Sequence, residues 1–434
     1  MRTFFRLSSI LIPLFATLTL SAQSFESHFT EQTLRLDLIF AGNSSEQFIA
    51  IKELACDKGW YGRRCNLDSA PLAGNGAIIL REPESGAVIY KHTFSSLFQE
   101  WLATDEAKGC MRSFEATLLL PMPRKEVEIE ITLTNYQGGE QARLEHKINP
   151  ADPLIRDLSR VEPIEHEYIH RGGASERAID VVIIAEGYTK EQMSIFMEDA
   201  RTAAEEILRY APFKAHRSDF NFIAIKSESL DTNVSVPQDK EWRETAVNSN
   251  FMTFYAPRYL TTNSVHRLYD TVRGIPCEHI IVLANTDTYG GGGIYNSYTL
   301  TTAHHPAFKP VVVHEFGHSF GGLGDEYFYE TEDVGAGTYS FDHEPWEPNI
   351  TTLVEFQSKW ADMLPNPEDH TPTEPTPERE ESYTVGIYEG GGYVTHGVYR
   401  PAVVCRMRNN TATRFCPVCE RAIERVILHQ TVER

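Results

Sequence analysis

The hydrophobic pattern of the chain changes near residue 175. Before that point, segments such as Glu126 to Leu133 alternate polar and apolar residues, which is typical of an antiparallel sheet with one solvated face. After it, apolar runs such as Ile179 to Ala185 indicate strands buried on both faces, and a helix-compatible stretch follows from Glu191 to about Tyr210. This order predicts an N-terminal β-sandwich of immunoglobulin-like size, followed by an α/β domain with a mainly parallel sheet.

The first residues of the chain indicate export. Arg2 and Arg6 precede an uncharged apolar run over residues 7–20, and Ala22 completes a small-residue cleavage site. We therefore predict a signal peptide, then the β-sandwich, then a catalytic domain, with a short linker near Pro153. The predicted divisions are residues 1–22, 23–155 and 160–434.

Hydropathy and charge narrow the classes of partner. No later stretch approaches the roughly 20 apolar residues of a membrane span, so we expect no transmembrane segment and a secreted or periplasmic location. The chain has 61 acidic and 40 basic residues and a net charge of −21. Such a surface repels nucleic acid and anionic membranes, which disfavours both as partners. A calcium ion would suit this acidity, but no loop pattern locates a site for it.

One short motif carries the chemistry. His314 and His318 are four residues apart, so they lie on the same face of a helix, one turn from each other. Two imidazoles placed in this way can bind one Zn²⁺ together, and Glu315 beside the first of them can reach a water activated by the metal. The spacing predicts a zinc hydrolase in which Glu315 is the general base.

The motif alone is a weak signal, because a buried helix with two hydrogen-bonded histidines is the alternative. Three features of the context favour the metal site. The apolar run from Val311 to Val313 would pack the helix into a core, a glycine cluster ends it soon after His318, and an Asp-Glu pair follows that turn.

The third metal ligand is an acidic residue downstream of the helix. Metzincin peptidases have a histidine six residues after the second ligand, but Gly324 occupies that position and cannot bind a metal. The reach around the glycine turn favours Asp325, with Glu326 as the alternative or as a residue that supports the ligands. His304 and His305 precede the helix and are predicted to be structural or exposed.

These residues and several other segments resemble the bacterial IgA-peptidase family of metallopeptidases. The central match is His314 to His318 together with Gly322 to Tyr327, and the resemblance runs in order from about residue 175 to 425. The β-rich segment in front resembles the N-terminal domain that accompanies this family. The other shared segments are Ala185 to Thr189, Tyr289 to Gly293, Gly391 to Tyr393, Val398 to Pro401, Cys405 to Arg408 and Phe415 to Cys419.

The resemblance implies a secreted zinc endopeptidase with a metzincin-like catalytic domain. It implies that His314, His318 and Asp325 bind zinc and that Glu315 is catalytic. It also implies that Met407 is the Met-turn residue, which packs as a floor beneath the metal. From spacing alone, Met407 would be predicted to be an ordinary core methionine.

Two further segments are candidates for substrate contacts. The glycine run from Tyr289 to Gly293 follows a predicted strand and could let a substrate chain dock beside it as an added strand, or it could be a simple surface loop. Tyr393 and Tyr399 lie shortly before Met407, and either could stabilise an oxyanion or shape the pocket. Packing in the core is the alternative for both tyrosines.

The seven cysteines all follow the predicted signal peptide, in a chain for which disulfides are permitted. Cys56 and Cys65 flank Gly59 and Gly62, and a disulfide between the two cysteines could close this loop. The odd number leaves at least one thiol over, for which the candidates are Cys110 and Cys277.

Three more cysteines cluster near the C-terminus. We expect Cys405 to pair with Cys416 or Cys419. The Cys-x-x-Cys spacing of the last two could also indicate a redox site or half of a structural zinc site, but no second Cys-x-x-Cys and no thioredoxin-like context accompany it.

Three functional hypotheses are compatible with these features. The first is a zinc endopeptidase that cleaves a protein or peptide, with a host glycoprotein or an immunoglobulin among the candidate substrates. The second is a secreted binding protein with a degenerate peptidase domain, which the intact His314, Glu315 and His318 disfavour. The third is a zinc amidase acting on a non-protein amide, because activation of water does not by itself choose the acyl group.

Overall fold

The computed structural model describes residues 24–329 and 339–432. The predicted signal peptide over residues 1–22 lies outside them. The first region contains eight strands and three short helices in the described residues. They are α1 (Phe25–His28), β1 (Phe29–Gly42), β2 (Gln47–Lys58), β3 (Gly76–Arg81), β4 (Val88–Phe94), α2 (Leu97–Trp101), α3 (Glu106–Gly109), β5 (Arg112–Pro123), β6 (Val127–Thr134), β7 (Glu140–Ile148) and β8 (Arg156–Asp157).

These strands form two four-stranded sheets within the described chain, in the orders β5-β1-β2-β8 and β4-β3-β6-β7. All pairs are antiparallel except β2 with β8. Side chains of both sheets, among them Leu36, Ile78 and Ile131, share one buried core. Because β8 still joins the first region, the sheet continues just past the predicted division at residue 155.

The second region combines one larger sheet with five helices and a hairpin in the described residues. Its elements are β9 (His166–Arg171), β10 (Ile179–Glu186), α4 (Met193–Ile207), β11 (Phe220–Ile225), α5 (Val265–Thr271), β12 (His279–Ala284), β13 (Gly291–Ile294), β14 (Tyr298–Thr302), α6 (Phe308–Gly321), α7 (Pro377–Ser382), β15 (Tyr388–Gly391), β16 (Val394–Arg400) and α8 (Pro417–Thr431). Short 3-10 helices span Lys190–Gln192, Arg217–Asp219, Pro237–Asp239, Thr253–Tyr255, Phe356–Ser358 and Ala361–Met363.

The large sheet has the order β13-β14-β12-β10-β11-β9. Its four inner strands are parallel, and the two outer pairs are antiparallel. Alternate residues of β10 enter different cores: Val182 and Ile184 join the core shared with the first region, while Val181 and Ile183 pack with Phe316 of α6. Burial on both faces explains the apolar run, and the predicted mixed α/β region is confirmed.

The Pro- and Glu-rich stretch of residues 365–382 contains α7, whose first turn is capped by the Thr376 side chain. Pro377 at the first helical position suits this helix start. The described residues contain no helix long and apolar enough to cross a membrane.

The predicted disulfides are wrong. Cys56 is a free cysteine on β2, opposite Leu34 of β1, whereas Cys65 Sγ lies 3.5 Å from the Gln430 carbonyl oxygen at the end of α8. Cys405 Sγ lies 3.8 Å from Cys419 Sγ, and a disulfide requires about 2.05 Å.

Candidate metal centre and cavity

Helix α6 holds the two histidines of the motif. Its apolar side chains, including Val312 and Phe316, are fully buried and fix the helix against the sheet. His314 Nε2 and His318 Nε2 lie 3.1 Å apart on the side that faces a cavity. The helix ends at Gly322, whose φ of 59° is the left-handed conformation that reverses the chain after a helix.

This reversal brings Asp325 back to the histidines. Asp325 Oδ1 lies 3.0 Å from His314 Nε2 and 3.3 Å from His318 Nε2. Three ligands at about 2.0–2.1 Å from a tetrahedral zinc ion would lie about 3.3–3.4 Å apart. The three atoms therefore surround one point at nearly the right separation for such an ion.

The hydrogen bonds of the imidazoles orient them toward this point. His314 Nδ1 donates to the Arg406 carbonyl at 3.0 Å, and His318 Nδ1 donates to the Leu323 carbonyl at 2.6 Å. Because each Nδ1 carries the hydrogen, each Nε2 directs its lone pair toward the other and toward Asp325 Oδ1. Within residues 24–329 and 339–432, no other donor reaches this buried oxygen. Three facing lone pairs repel one another unless a positive charge lies between them, so the residues fit a metal cation.

The electrostatics of the three groups agree with this fit. Burial alone would raise the pKa of Asp325, but the imidazoles of His318 and His314 hold it well below its usual range. Burial would lower the pKa of His318, but the Asp325 carboxylate raises it to about 9. The metal-free site therefore attracts a proton, and a bound cation would take the place of that proton.

Glu315 is partly buried next to the histidines but does not lie between them. Burial raises the pKa of Glu315, against the opposing effect of His314 and His318. The two histidines and Glu315 offer ligand atoms within 4.8 Å of one another. A carboxylate in this position, with its proton affinity increased, can accept a proton from a water beside the metal centre.

The glycine run lets the sheet approach this helix. Gly291 and Gly293 lie on β13, the edge strand next to α6. A Cβ at Gly291 would lie 2.7 Å from Glu315 Oε1, and a Cβ at Gly293 would overlap the Glu315 carbonyl oxygen and lie 2.8 Å from His318 Cβ. Close packing against the metal-binding helix therefore requires glycine at both positions.

The two candidate tyrosines have different surroundings in the structure. The Tyr393 hydroxyl donates to Asp325 Oδ2, and burial raises the pKa of Tyr393 well above its usual value, so it remains a donor. Tyr399 lies on β16, where its backbone pairs with Thr351, and it is not among the residues that line the cavity. Tyr393 thus orients the candidate metal ligand Asp325, whereas the prediction that Tyr399 contributes to the site finds no support.

We expect Tyr393→Phe to weaken metal binding by about 10- to 100-fold, because the Asp325 carboxylate loses the donor that orients it. Competition with a chromophoric chelator measures this affinity. Tyr399→Phe is the matched control and should bind the metal as the wild type does. If Tyr393→Phe instead lowers kcat with unchanged metal affinity, the hydroxyl acts on the substrate and not on the ligand.

Met407 and Glu326 lie near the three candidate ligands but do not line the cavity. Met407 is fully buried, and its sulfur lies 2.8 Å from the position a Cβ would take on Gly317, between the two histidines in sequence. This places it beneath α6, where the resemblance expected a floor. Glu326 directs its carboxylate to Cys419 Sγ at 3.1 Å and accepts from Asn349 Nδ2 at 3.0 Å. Of the two acidic candidates, only Asp325 approaches the histidines.

The two histidines that precede α6, His304 and His305, each contact a neighbouring side chain. His304 Nε2 lies 2.8 Å from Asp199 Oδ2, and the His305 ring packs against Tyr289 at 5.1 Å. Both agree with the expected structural or surface role.

A cavity of about 640 Å³ opens over the metal centre. The second region contributes His314, Glu315, His318, Asp325 and the glycines of β13 to its lining. The first region contributes a wall that no sequence signal indicated, made of Asn75, Ser95, Glu100 and Tyr136. The Tyr259 hydroxyl donates to the Glu100 carboxylate and joins the two regions.

Glu100 makes the stability of the chain depend on pH. Burial raises the pKa of Glu100 to about 7, although the hydrogen bond from Tyr259 opposes this. Its protonated form stabilises the fold fully below pH 4.5, and this contribution is lost as the pH rises through 7. We expect Glu100→Gln to be more stable than the wild type by about 3 kcal/mol above pH 7 and nearly equal to it below pH 4.5.

Urea unfolding of both proteins across this pH range measures the difference. Glu84→Gln, at an exposed position, is the control and should follow the wild type at every pH. A Glu100→Gln curve parallel to that of the wild type would show that folding does not shift the pKa of Glu100.

Comparisons with known proteins agree with this geometry. The family model described as IgA Peptidase M64 matches residues 168–383 and 376–427, which together span more than half of the chain. The model described as Peptidase M64 N-terminus matches residues 24–145. A comparison with curated proteins gives no match. The earlier resemblance is confirmed, and the chain belongs to the IgA peptidase M64 family of metallopeptidases.

Proposed function

We propose that the protein is a secreted, zinc-dependent endopeptidase that hydrolyses peptide bonds in the cavity above α6. The observation that carries the proposal is the convergence of His314 Nε2, His318 Nε2 and Asp325 Oδ1 on one point at the cavity wall. Two imidazoles and one carboxylate are a donor set that zinc accepts. Three protein donors, one fewer than a structural zinc site uses, are typical of a catalytic site.

The catalytic step assigns one role to each group. His314, His318 and Asp325 would hold a zinc ion, which would supply the Lewis acidity that polarises a carbonyl and lowers the pKa of water. Glu315 accepts the proton of the attacking water and then delivers it to the leaving amine. Its partly buried carboxylate and raised pKa suit both halves of this transfer. Tyr393 and Met407 hold the ligand set in place from either side.

The substrate would lie along β13. This strand is the edge of the sheet in the described chain, and Tyr259 bridges only its first residue, Gly291. An extended peptide can add to such an edge through backbone hydrogen bonds. Glycines leave the peptide close to Glu315, and a cavity of about 640 Å³ accommodates several side chains.

The remaining assignments rest on the sequence and on the family. The proposal includes a metzincin-like catalytic domain over residues 160–434, a β-sandwich over 23–155 and export directed by residues 1–22. The two sheets with a common core support the β-sandwich. The family name points to protein substrates, and we propose a host glycoprotein or an immunoglobulin as the first substrates to test.

Metal content and hydrolysis test the proposal together. Purified chain should contain zinc and cleave a protein substrate, and His318→Ala should lose one zinc equivalent and all cleavage. His305→Ala, which leaves the ligands untouched, should keep both. A wild type that binds zinc yet cleaves no protein or peptide would refute the peptidase proposal. Cleavage that persists in His318→Ala would refute the assignment of the site.

A further inference from the structure

A second group of metal-binding side chains lies outside the cavity. Glu326, Cys405, Cys416 and Cys419 are fully buried, and their ligand atoms all lie within 4.8 Å of one another. Cys405 Sγ and Cys419 Sγ are 3.8 Å apart. Glu326 Oε1 lies 3.1 Å from Cys419 Sγ and 3.9 Å from Cys416 Sγ.

These separations are those of a tetrahedral metal site. Sulfur ligands at about 2.3 Å from a tetrahedral zinc ion lie about 3.8 Å apart, and a sulfur and an oxygen ligand lie about 3.6 Å apart. The observed distances equal the first value and fall on either side of the second. One disulfide uses only two of the three thiols. Oxidation would therefore leave the third thiol buried beside the Glu326 carboxylate in an apolar core.

Two backbone donors face one of the sulfurs, and one carboxylate oxygen of the group has no hydrogen-bond partner in the described residues. The backbone N–H groups of Met407 and Cys416 donate to Cys405 Sγ at 3.4 and 3.2 Å, which stabilises negative charge on that sulfur. In the described part of the chain, Glu326 Oε2 is buried with no hydrogen-bond partner, and no basic side chain forms an ion pair with Glu326. A buried carboxylate of this kind is costly unless a cation neutralises it.

We propose that Glu326, Cys405, Cys416 and Cys419 bind a structural zinc ion. Four protein ligands complete a tetrahedron and leave no position for a substrate, which is the pattern of a structural site. Thiolates select zinc over magnesium or calcium. The site is independent of the proposed peptidase activity, because none of its ligands belongs to the catalytic set.

The ion would tie together three segments that support the catalytic centre. Glu326 follows Asp325 directly, and its backbone N–H donates to the Met407 carbonyl at 2.9 Å. Cys405 precedes Met407 by two residues, and Cys416 caps the first turn of α8, which contains Cys419. The structural ion would therefore hold the third catalytic ligand and the methionine floor in their positions.

Cobalt replacement tests the proposal on the full chain, purified with a reductant. Co²⁺ bound by thiolates gives a sulfur-to-metal charge-transfer absorption, which the His314, His318 and Asp325 site cannot give. We expect two metal equivalents per wild-type chain and a strong charge-transfer band. His318→Ala should keep the band and one equivalent. Cys416→Ser removes one of the three thiolates and should weaken the band, and Cys277→Ser, a buried cysteine outside the group, should keep it at full strength.

Two results would overturn the structural zinc site. One is a wild type that contains a single metal equivalent and shows no charge-transfer band. The other is a peptide map of the unreduced protein in which Cys405 is linked to Cys416 or Cys419. Both readouts use the wild type, so they decide the question even if Cys416→Ser does not fold. Retention of the band in a chain without hydrolytic activity would refute only the proposed function.

Discussion

Glu315→Gln should reduce peptide hydrolysis by about 10²- to 10⁴-fold and leave metal content unchanged. The amide has the size of the carboxylate but cannot accept the proton of the attacking water. Glu315 is not placed between the two histidines and Asp325, so the ligand set stays complete. Steady-state cleavage of a fluorogenic peptide, together with metal analysis of the same samples, measures both quantities.

Two comparisons make this result interpretable. Glu84→Gln removes an exposed carboxylate and should retain full activity. His318→Ala should lose both metal and activity, which separates loss of the base from loss of the ion. A Glu315→Gln enzyme that hydrolyses peptides at the wild-type rate would exclude Glu315 as the general base.

Gly293→Ala should destabilise the fold by about 1–3 kcal/mol and weaken catalytic metal binding. The new methyl group would overlap the Glu315 carbonyl oxygen and press on His318 Cβ at 2.8 Å. Neither neighbour is a flexible side-chain end, so β13 must move away from α6. Denaturant midpoints and chelator competition measure the two effects.

Gly109→Ala is the matched control, because a Cβ there would meet nothing within 4 Å. Gly291→Ala provides a contrast, since its methyl group would meet Glu315 Oε1, the end of a side chain, at 2.7 Å. Gly291→Ala should therefore have a larger effect on kcat than on the stability of the fold. Wild-type stability in Gly293→Ala would mean that the strand and the helix are not in close contact.

The candidate metal-binding helix was predictable because its signal is local. The spacing of His314 and His318 determines their common face, and apolar residues around them predict burial. The choice between Asp325 and Glu326 was harder, since both residues lie within reach of the turn. The fold decides it, because neighbouring residues of an extended segment point in opposite directions, and Glu326 turns toward the cysteines.

Long-range contacts were the part that one sequence could not supply. Tyr393 and Tyr399 are on the same hairpin segment, and only the path of that hairpin shows that Tyr393 reaches Asp325. The three C-terminal cysteines were predicted to form a disulfide, because the fourth member of their group, Glu326, lies far upstream in the sequence. Glu100 of the cavity wall lies on a short helix in the other region, with no motif around it.

The part of the cavity wall that comes from the first region bears on how enzymes of this kind diversify. Asn75, Ser95, Glu100 and Tyr136 come from the first region, whereas every proposed ligand and the base come from the second. Part of the wall that would meet a substrate is thus inherited on a different stretch of chain from the residues that would cut it. Exchange of the first region between relatives could redirect cleavage to a new target while the hydrolytic chemistry stays the same.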